Sequence, residues 1–404
     1  DHALVYLPPH ARKKTQKIYE KIKQGIVDRA IAYTGFIMDE YNMVYNSWSS
    51  LTQSPKIFSP KNLLQRSGTF VIVGSGPSLN KSIPTLQKIQ DQVTIIACAS
   101  NFGTLRKNGI KVDVLCLLER GEFMVEQYKE LLDKYGGTDS KLVASVTTPY
   151  QLHEYFEETM VYFRPSLTPV AVFAENPNQV LSNEGPQTVN TGVAFAVSQH
   201  PKNIILVGVD LGAASLDKVR CDDAIGFSPR EFDIPIKGNQ RETVFTNELL
   251  LDGVRVLEGA TIFNSEYIDF YNCSDGVYLE GYKPLDIDDV QSEISPLEKS
   301  TSLESWWSSC PDYSFELFES SFKAAQPRRH ISKTLSELHA IIDQYFNLRD
   351  YGKFKSMVQD CLSIDDRPRY QQLCPRMIRG NIYRTLISIN RQVIIMNGAD
   401  LNVK

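Results

Sequence analysis

The sequence predicts an α/β protein: a Rossmann-like, doubly wound, mostly parallel sheet with a helical N-terminal extension and a helical C-terminal subdomain. Three observations predict it. Short, fully apolar runs alternate with stretches of helical period, the pattern of strands buried on both faces. The first clear run, Phe70–Val73, leads at once into GSGPSL and a helical pattern. After about Pro296 the apolar positions follow a helical period. The expected divisions are residues 1–66, 67–290 and 291–404.

From Ala11 to about Tyr33 the reading is helical, with Ile18, Ile22 and Ile26 at i, i+4 spacing. Arg12, Lys13, Lys14, Lys17, Lys21 and Lys23 make this helix basic, as a solvated face or a dock for an acidic or phosphate-rich partner. Val93–Ala97 and Val112–Leu118 read as buried parallel strands, and Leu142–Val146 and Val161–Phe163 as further strands. Asn190–Gln199 reads as a helix and Ile204–Val209 as the last strong strand. Residues 211–247 show no clear period and read as a lid or a disordered insert. Ile331, Leu335, Leu338, Ile342 and Tyr345 form one amphipathic stripe; Ile378, Ile382, Leu386, Ile389 and Val393 form another.

A net charge of -5 argues against a general nucleic-acid binder, whose footprint is a basic excess. No apolar run approaches the roughly 18 residues of a membrane helix. Seven cysteines, odd in number and far apart, argue against a disulfide framework or a CxxC zinc site and point to a reducing cytoplasm. The histidines show no metal-ligand spacing, so no metal is expected. Asp at position 1 suggests a processed chain or one lacking an upstream segment, and no signal-peptide pattern is visible.

The strongest motif is FVIVGSGPSLNKSI. Gly74 and Gly76 leave no side chain between the backbone amides and a ligand. Pro77 suits a first helical turn, whose amides and dipole favour phosphate, and Ser75 and Ser78 add hydroxyls. A plain tight strand–helix turn is the alternative. No GK[ST] follows, so this is not a Walker A loop. Leu79 stands where a third glycine would complete a dinucleotide fingerprint.

A second motif is QTVNTGVAFAVSQHPKNIILVGVDLG. Asn190 or Thr191 is the expected helix cap, and Gly192 would let the backbone approach a ligand. Asp210 ends the following strand, at the edge of the ligand crevice in an open α/β sheet. An ordinary cap and a solvated loop residue are the plainer alternatives.

VIVGSGPSL, NTGVAFA, LVGVDL, and VFTN with YNCSDGVYLEG resemble, over roughly Ala30 to Leu285, the central domain of Maf (motility-associated factor) proteins. That domain is similar to archaeal 6-hydroxymethylpterin pyrophosphokinases and to bacterial sialyltransferases that use CMP-sugars. The resemblance implies a cytoplasmic glycosyltransferase, with 67–290 as its nucleotide-sugar-binding catalytic domain. It would transfer a nonulosonic acid from a CMP donor to serine or threonine of flagellin. It implies no cofactor beyond the donor, and C-terminal helices that help bind the acceptor.

Residue by residue, Gly74, Ser75, Gly76 and Ser78 match the nucleotide-phosphate turn. Ser100 and Asn101 fall near an asparagine that contacts CMP in the sialyltransferases, and Glu119 falls where they have another. Thr191 and Gly192 match their donor-site SG pair, and Asp210 the aspartate of GID. Asn272, Asp275 and Gly276 match a recurrent segment of unassigned role, for which a closing turn is the plainer reading.

The sialyltransferases carry a histidine base after the GID strand, whereas residues 211–247 contain no histidine. Asp217, Asp222, Asp223, Glu231 and Asp233 are the carboxylates there that could accept a proton. Asp210, Glu119, Asp222 and Asp223 are the candidate catalytic residues. His153 is a possible base or a helix-surface residue, and His200 a cation at a helix end. CMP leaves as a phosphate monoester, so amides at a helix N-terminus suffice to stabilise its charge. The alternatives are an ATP- and magnesium-dependent pterin-type pyrophosphokinase, a transferase to surface polysaccharide, and a non-catalytic nucleotide-binding module.

Overall fold

The apolar runs assemble into one parallel sheet. The computed structural model describes residues 36–61, 67–165, 167–215, 218–226, 231–295, 301–348, 350–364 and 367–396. The basic helix expected over 11–33 and the lid residue Asp217 lie outside them. The strands are β1 Lys56–Ile57, β2 Ser67–Val73, β3 Thr94–Cys98, β4 Val114–Leu117, β5 Lys141–Ser145, β6 Glu158–Tyr162 and β7 Pro201–Val207. A hairpin, β8 Ile234–Lys237 and β9 Thr243–Thr246, precedes β10 Asp269–Asn272 and β11 Lys283–Pro284. The sheet runs β1-β6-β5-β4-β3-β2-β7-β10-β11, every pairing parallel.

From β2 the chain winds outward through β3 to β6, then returns to place β7 on the other side of β2. The order therefore reverses between β2 and β7, which opens a crevice at their carboxyl ends. The strand expected over Ile204–Val209 lies inside the sheet between β2 and β10 and stops at Val207, where Gly208 turns with φ +65°. β10 lies beyond it.

Alternate residues of each strand face opposite layers. Phe70, Ile72, Ile96, Cys98, Val114 and Cys116 point to one core, filled by helix α6 (Thr188–Ser198) and α7 (Glu248–Asn264). Val71, Val73, Ile95, Ala97, Leu115 and Leu117 point to the other. There α2 (Leu79–Ile89), α3 (Phe102–Lys107) and α4 (Phe123–Tyr135) pack through Leu86, Leu105 and Tyr128. The remaining helices of this part are α1 (Ile37–Leu51), α5 (Thr168–Phe173), α8 (Val290–Glu293) and α9 (Thr301–Ser309).

The chain divides into one unit of residues 42–320 and another of residues 1–41 with 321–404. The divisions expected at 66/67 and 290/291 both fall inside the sheet unit. Leu303, Trp306, Trp307 and Cys310 join the core of Phe58, Phe70 and Phe195. Ile57 donates its amide to Pro311 O at 2.8 Å, and Tyr313 its hydroxyl to Phe173 O at 2.8 Å. The segment around α9 thus completes the sheet domain.

The division at 320/321 falls inside α10 (Phe315–Ala324), and the other unit is helical, with α11 (Pro327–Leu348), α12 (Tyr351–Cys361) and α13 (Leu373–Met396). Its core contains Leu338, Phe354, Val358, Leu362 and Leu386, with Ile341, Ile378 and Ile382 packed against it. The stripe on α11 is rotated from the expected one. Thr334 and Leu338 are buried, while Leu335 and Ile342 are exposed. Ile378, Ile382 and Leu386 face the core as expected; the side chains of Tyr345, Ile389 and Val393 lie outside the described residues. All seven cysteines are buried and unpaired. Among the described residues no helix is long and apolar enough to cross a membrane.

Candidate functional site

Two loops leave the sheet side by side, 74–78 after β2 and 208–211 after β7, and they interlock. Gly74 donates its amide to Val207 O at 2.8 Å and Gly76 to Gly208 O at 2.7 Å. A Cβ on Gly74 would stand 2.4 Å from Gly208 O, and one on Gly76 2.4 Å from a carboxylate oxygen of Asp210. Loop-on-loop packing by itself requires glycine at both positions.

Asp210 is 4% exposed beneath the turn. Its carboxylate accepts the Ser78 amide at 3.0 Å and the Ser78 hydroxyl at 2.5 Å. Ser78 is the N-cap of α2 and makes no side-chain cap of its own. Asp210 therefore supplies the negative group that a helix N-terminus favours. Burial pushes its carboxyl up to about 6; the Ser78 bonds work against that rise and the charge of Asp275 adds to it.

The segment Asn272–Gly276 clamps this aspartate from below. A Cβ on Gly276 would lie 1.9 Å from Asp210 O. Val277 donates its amide to Asp210 O at 2.8 Å, and Val209 its amide to Ser274 Oγ at 2.8 Å. Asn239 ties Asn272 O and Ser274 O together through Nδ2, and Arg241 grips the Asp275 carboxylate with Nε and Nη2. The segment is a closing turn with a stated load: it fixes Asp210.

With Gly74, Gly76 and Ser78 engaged, the Ser75 amide and hydroxyl are the donors of the turn without a partner among the described residues. They stand ahead of the α2 N-terminus, where an anion is favoured.

Part of the lid folds over this point. Cys221 donates its amide to Ser75 O at 2.9 Å and Ile225 to Ser100 O at 3.0 Å. Asp222 donates its amide to Asn80 Oδ1 at 3.0 Å and accepts the Thr104 hydroxyl on its carbonyl at 2.7 Å. The Asp222 and Asp223 carboxylates point outward to Lys218 and Lys107, each at 2.8 Å. The Lys218 bond holds the Asp222 carboxyl below its usual range. Glu231 and Asp233 are exposed. Asn101 is fully buried and reaches from the end of β3 to Val73 O at 2.5 Å, and its Oδ1 has no partner among the described residues.

Residues 43–215 match the model of the family described as 6-hydroxymethylpterin diphosphokinase MptE-like. Among solved structures, the Maf glycosyltransferase from Magnetospirillum magneticum AMB-1 is similar at 25% identity and a TM-score of 0.76. That likeness covers 88% of this chain and 55% of the other. Residues 43–215 are thus similar to the MptE-like family, and the chain over most of its length resembles a Maf glycosyltransferase. It spans about half the length of the Maf structure it matches. No curated protein sequence matches it.

The remaining expected site residues make their contacts elsewhere. Thr191 and Gly192 sit in α6, on the sheet face opposite α2. Thr191 donates its hydroxyl to Glu184 O at 2.6 Å. A Cβ on Gly192 would meet Cys98 Sγ at 2.7 Å and Ile72 Cγ2 at 3.0 Å, so this glycine lets the helix come close to the sheet. The helix is capped by Gln187, with Asn190 at N3 closing a capping box, rather than by Asn190 or Thr191 themselves. Exposed Glu119 turns back on the amides of Arg120 and Gly121 at 2.8 and 3.1 Å. His153 is buried rather than on a helix surface, and burial lowers its imidazole to about 4.

Sequence reasoning missed Asn80, Thr104, Asn239 and Ser274, which hold the lid and the clamp. Asn80 and Ser274 lie inside the quoted motifs, Thr104 a few residues after Asn101 and Asn239 a few before VFTN, and that placement is their only signal in the sequence.

Proposed function

We propose that this Maf-like chain is a glycosyltransferase that moves a nonulosonic acid from a CMP donor to serine or threonine of flagellin in the cytoplasm. The observation that carries the reading is the likeness to a Maf glycosyltransferase over 88% of the chain, well beyond the MptE-like match. The geometry at the β2/β7 crevice supports it. The Ser75 amide and hydroxyl, with the α2 N-terminus behind them, receive the CMP phosphate and stabilise the charge it gains on leaving. Asp210 is a positioning residue that holds the α2 N-terminus. Asp222 and Asp223 are carried by the lid over the turn, and either takes a proton from the acceptor hydroxyl only after turning from its lysine partner, Lys218 or Lys107. Glu119 closes its own loop beside β4. The reaction uses no cofactor beyond the donor.

Calorimetric titration of the chain with CMP and with ATP, each with and without magnesium, tests this first. CMP binding that needs no magnesium, followed by release of CMP from a CMP-nonulosonate, is the expected outcome. The family description favours a second reading, a diphosphokinase using magnesium and ATP. Magnesium-dependent ATP binding in preference to CMP would establish that one instead. Its carboxylates for magnesium would be Glu119 and Asp210, both already engaged by protein hydrogen bonds.

A further inference from the structure

The helical unit contains a cleft of about 820 Å³ that the reading above does not use. One wall is the N-terminal half of α11, with Arg329, His330, Lys333 and Glu337 facing in. Asp360, at the end of α12, and Arg367, in the loop beyond, form the other. Its volume lies within the range of small-ligand sites, and the residues that line it are polar or charged.

The floor is built rather than incidental. Arg367 donates Nε to Ser363 O and Nη2 to Cys361 O, both at 2.6 Å. These bonds fix the guanidinium against the end of α12, and Nη1 reaches the buried Thr334 hydroxyl at 3.5 Å. Its hydrogen-bond partners are all neutral, and no ion pair to it is formed among the described residues. Arg329 and His330 have no polar side-chain partner there either, and Lys333 pairs with Glu337 only at 3.7 Å. Arg328, Arg329 and His330 also occupy the first turn of α11, which has no acidic residue. A helix dipole repels cations at that end, so the arrangement is one that a bound anion relieves.

We propose that this cleft is a binding site for a small ligand carrying an oxyanion, phosphate or carboxylate. Arg329 and Arg367 grip the anion, while Asp360 and the amide side chains of Gln326 and Gln371 meet its hydroxyl or polar groups. Guanidinium groups suit both anions because each presents a planar pair of donors.

The test is calorimetric titration of the full chain with inorganic pyrophosphate, with D-glucuronate, and with uncharged D-glucose. The expected result is binding of one or both anions and none of glucose. Arg329→Glu should weaken anion binding about tenfold or more. Lys129→Glu, the same charge change on the exposed face of α4, should leave it unchanged. Tighter pyrophosphate marks a phosphoryl ligand, and tighter glucuronate a sugar acid. Equal affinity of Arg329→Glu and the parent chain, equal loss in both variants, or no binding of either anion at millimolar concentration overturns the proposal.

Discussion

The carboxylate of Asp210 takes both hydrogens that Ser78 can offer from its amide and hydroxyl, across 132 positions of sequence. A turn expected to present its donors outward is instead partly satisfied from within.

Asp210 makes stability depend on pH. Its folded carboxyl titrates at about 6, above the ordinary 3.8, so the unfolded chain loses the proton first as pH rises. Stability from this group is therefore full below about pH 4, falls through about pH 6, and is level beyond. Asp210→Asn removes the titration. The stability of the variant relative to the parent should rise by about 2–3 kcal/mol between pH 4 and 7 in urea denaturation. A difference that stays constant across that range sinks the assignment.

The clamp admits no methyl group. Gly276→Ala should lower stability by about 2 kcal/mol or more, because its Cβ would meet the Asp210 backbone. Gly259, in the middle of α7 with open space around it, should gain about 0.5–1 kcal/mol on replacement by alanine. Thermal melts of the two variants should move in opposite directions.

Ser75 and Ser78 should separate binding from stability. Ser75→Ala removes an unengaged hydroxyl, so CMP affinity should fall about three- to tenfold with little change in melting temperature. Ser78→Ala removes a donor to a buried carboxylate, so the melting temperature should fall more than the affinity does. The reverse pattern would place the phosphate on Ser78.

Thr104 anchors the lid through its bond to Asp222 O. Thr104→Val should speed amide hydrogen exchange at Cys221 and Ile225 without changing exchange in β2 or β7. Unchanged exchange at those amides would mean that the remaining bonds suffice.

The strands β2 to β5 and β7 are legible in the sequence because each is a run of apolar residues buried on both faces. β10 is not, since Asp269 and Asn272 bound a core of only two aromatic residues. The crevice and its turn are legible too, from GSGPSL and the aspartate ending VGVD. The reason for the glycines is not, because no local pattern says that Asp210 comes to rest under Gly76. On α11 the apolar letters suggest Leu335, while the tertiary fold buries Thr334, whose hydroxyl Arg367 can reach. Trp306 and Trp307 lie in a helix that reads like the helices after it, so only packing reveals where they belong.

Those two tryptophans also set an order on synthesis. The core that they share with Phe58, Phe70 and Phe195 is incomplete in any nascent chain that ends before residue 306. On the ribosome the central strands emerge long before the aromatic residues that cover them, so their apolar face waits exposed for the last part of the domain. Chaperone engagement during translation should accordingly concentrate on chains that have passed β7 but not yet reached Trp307.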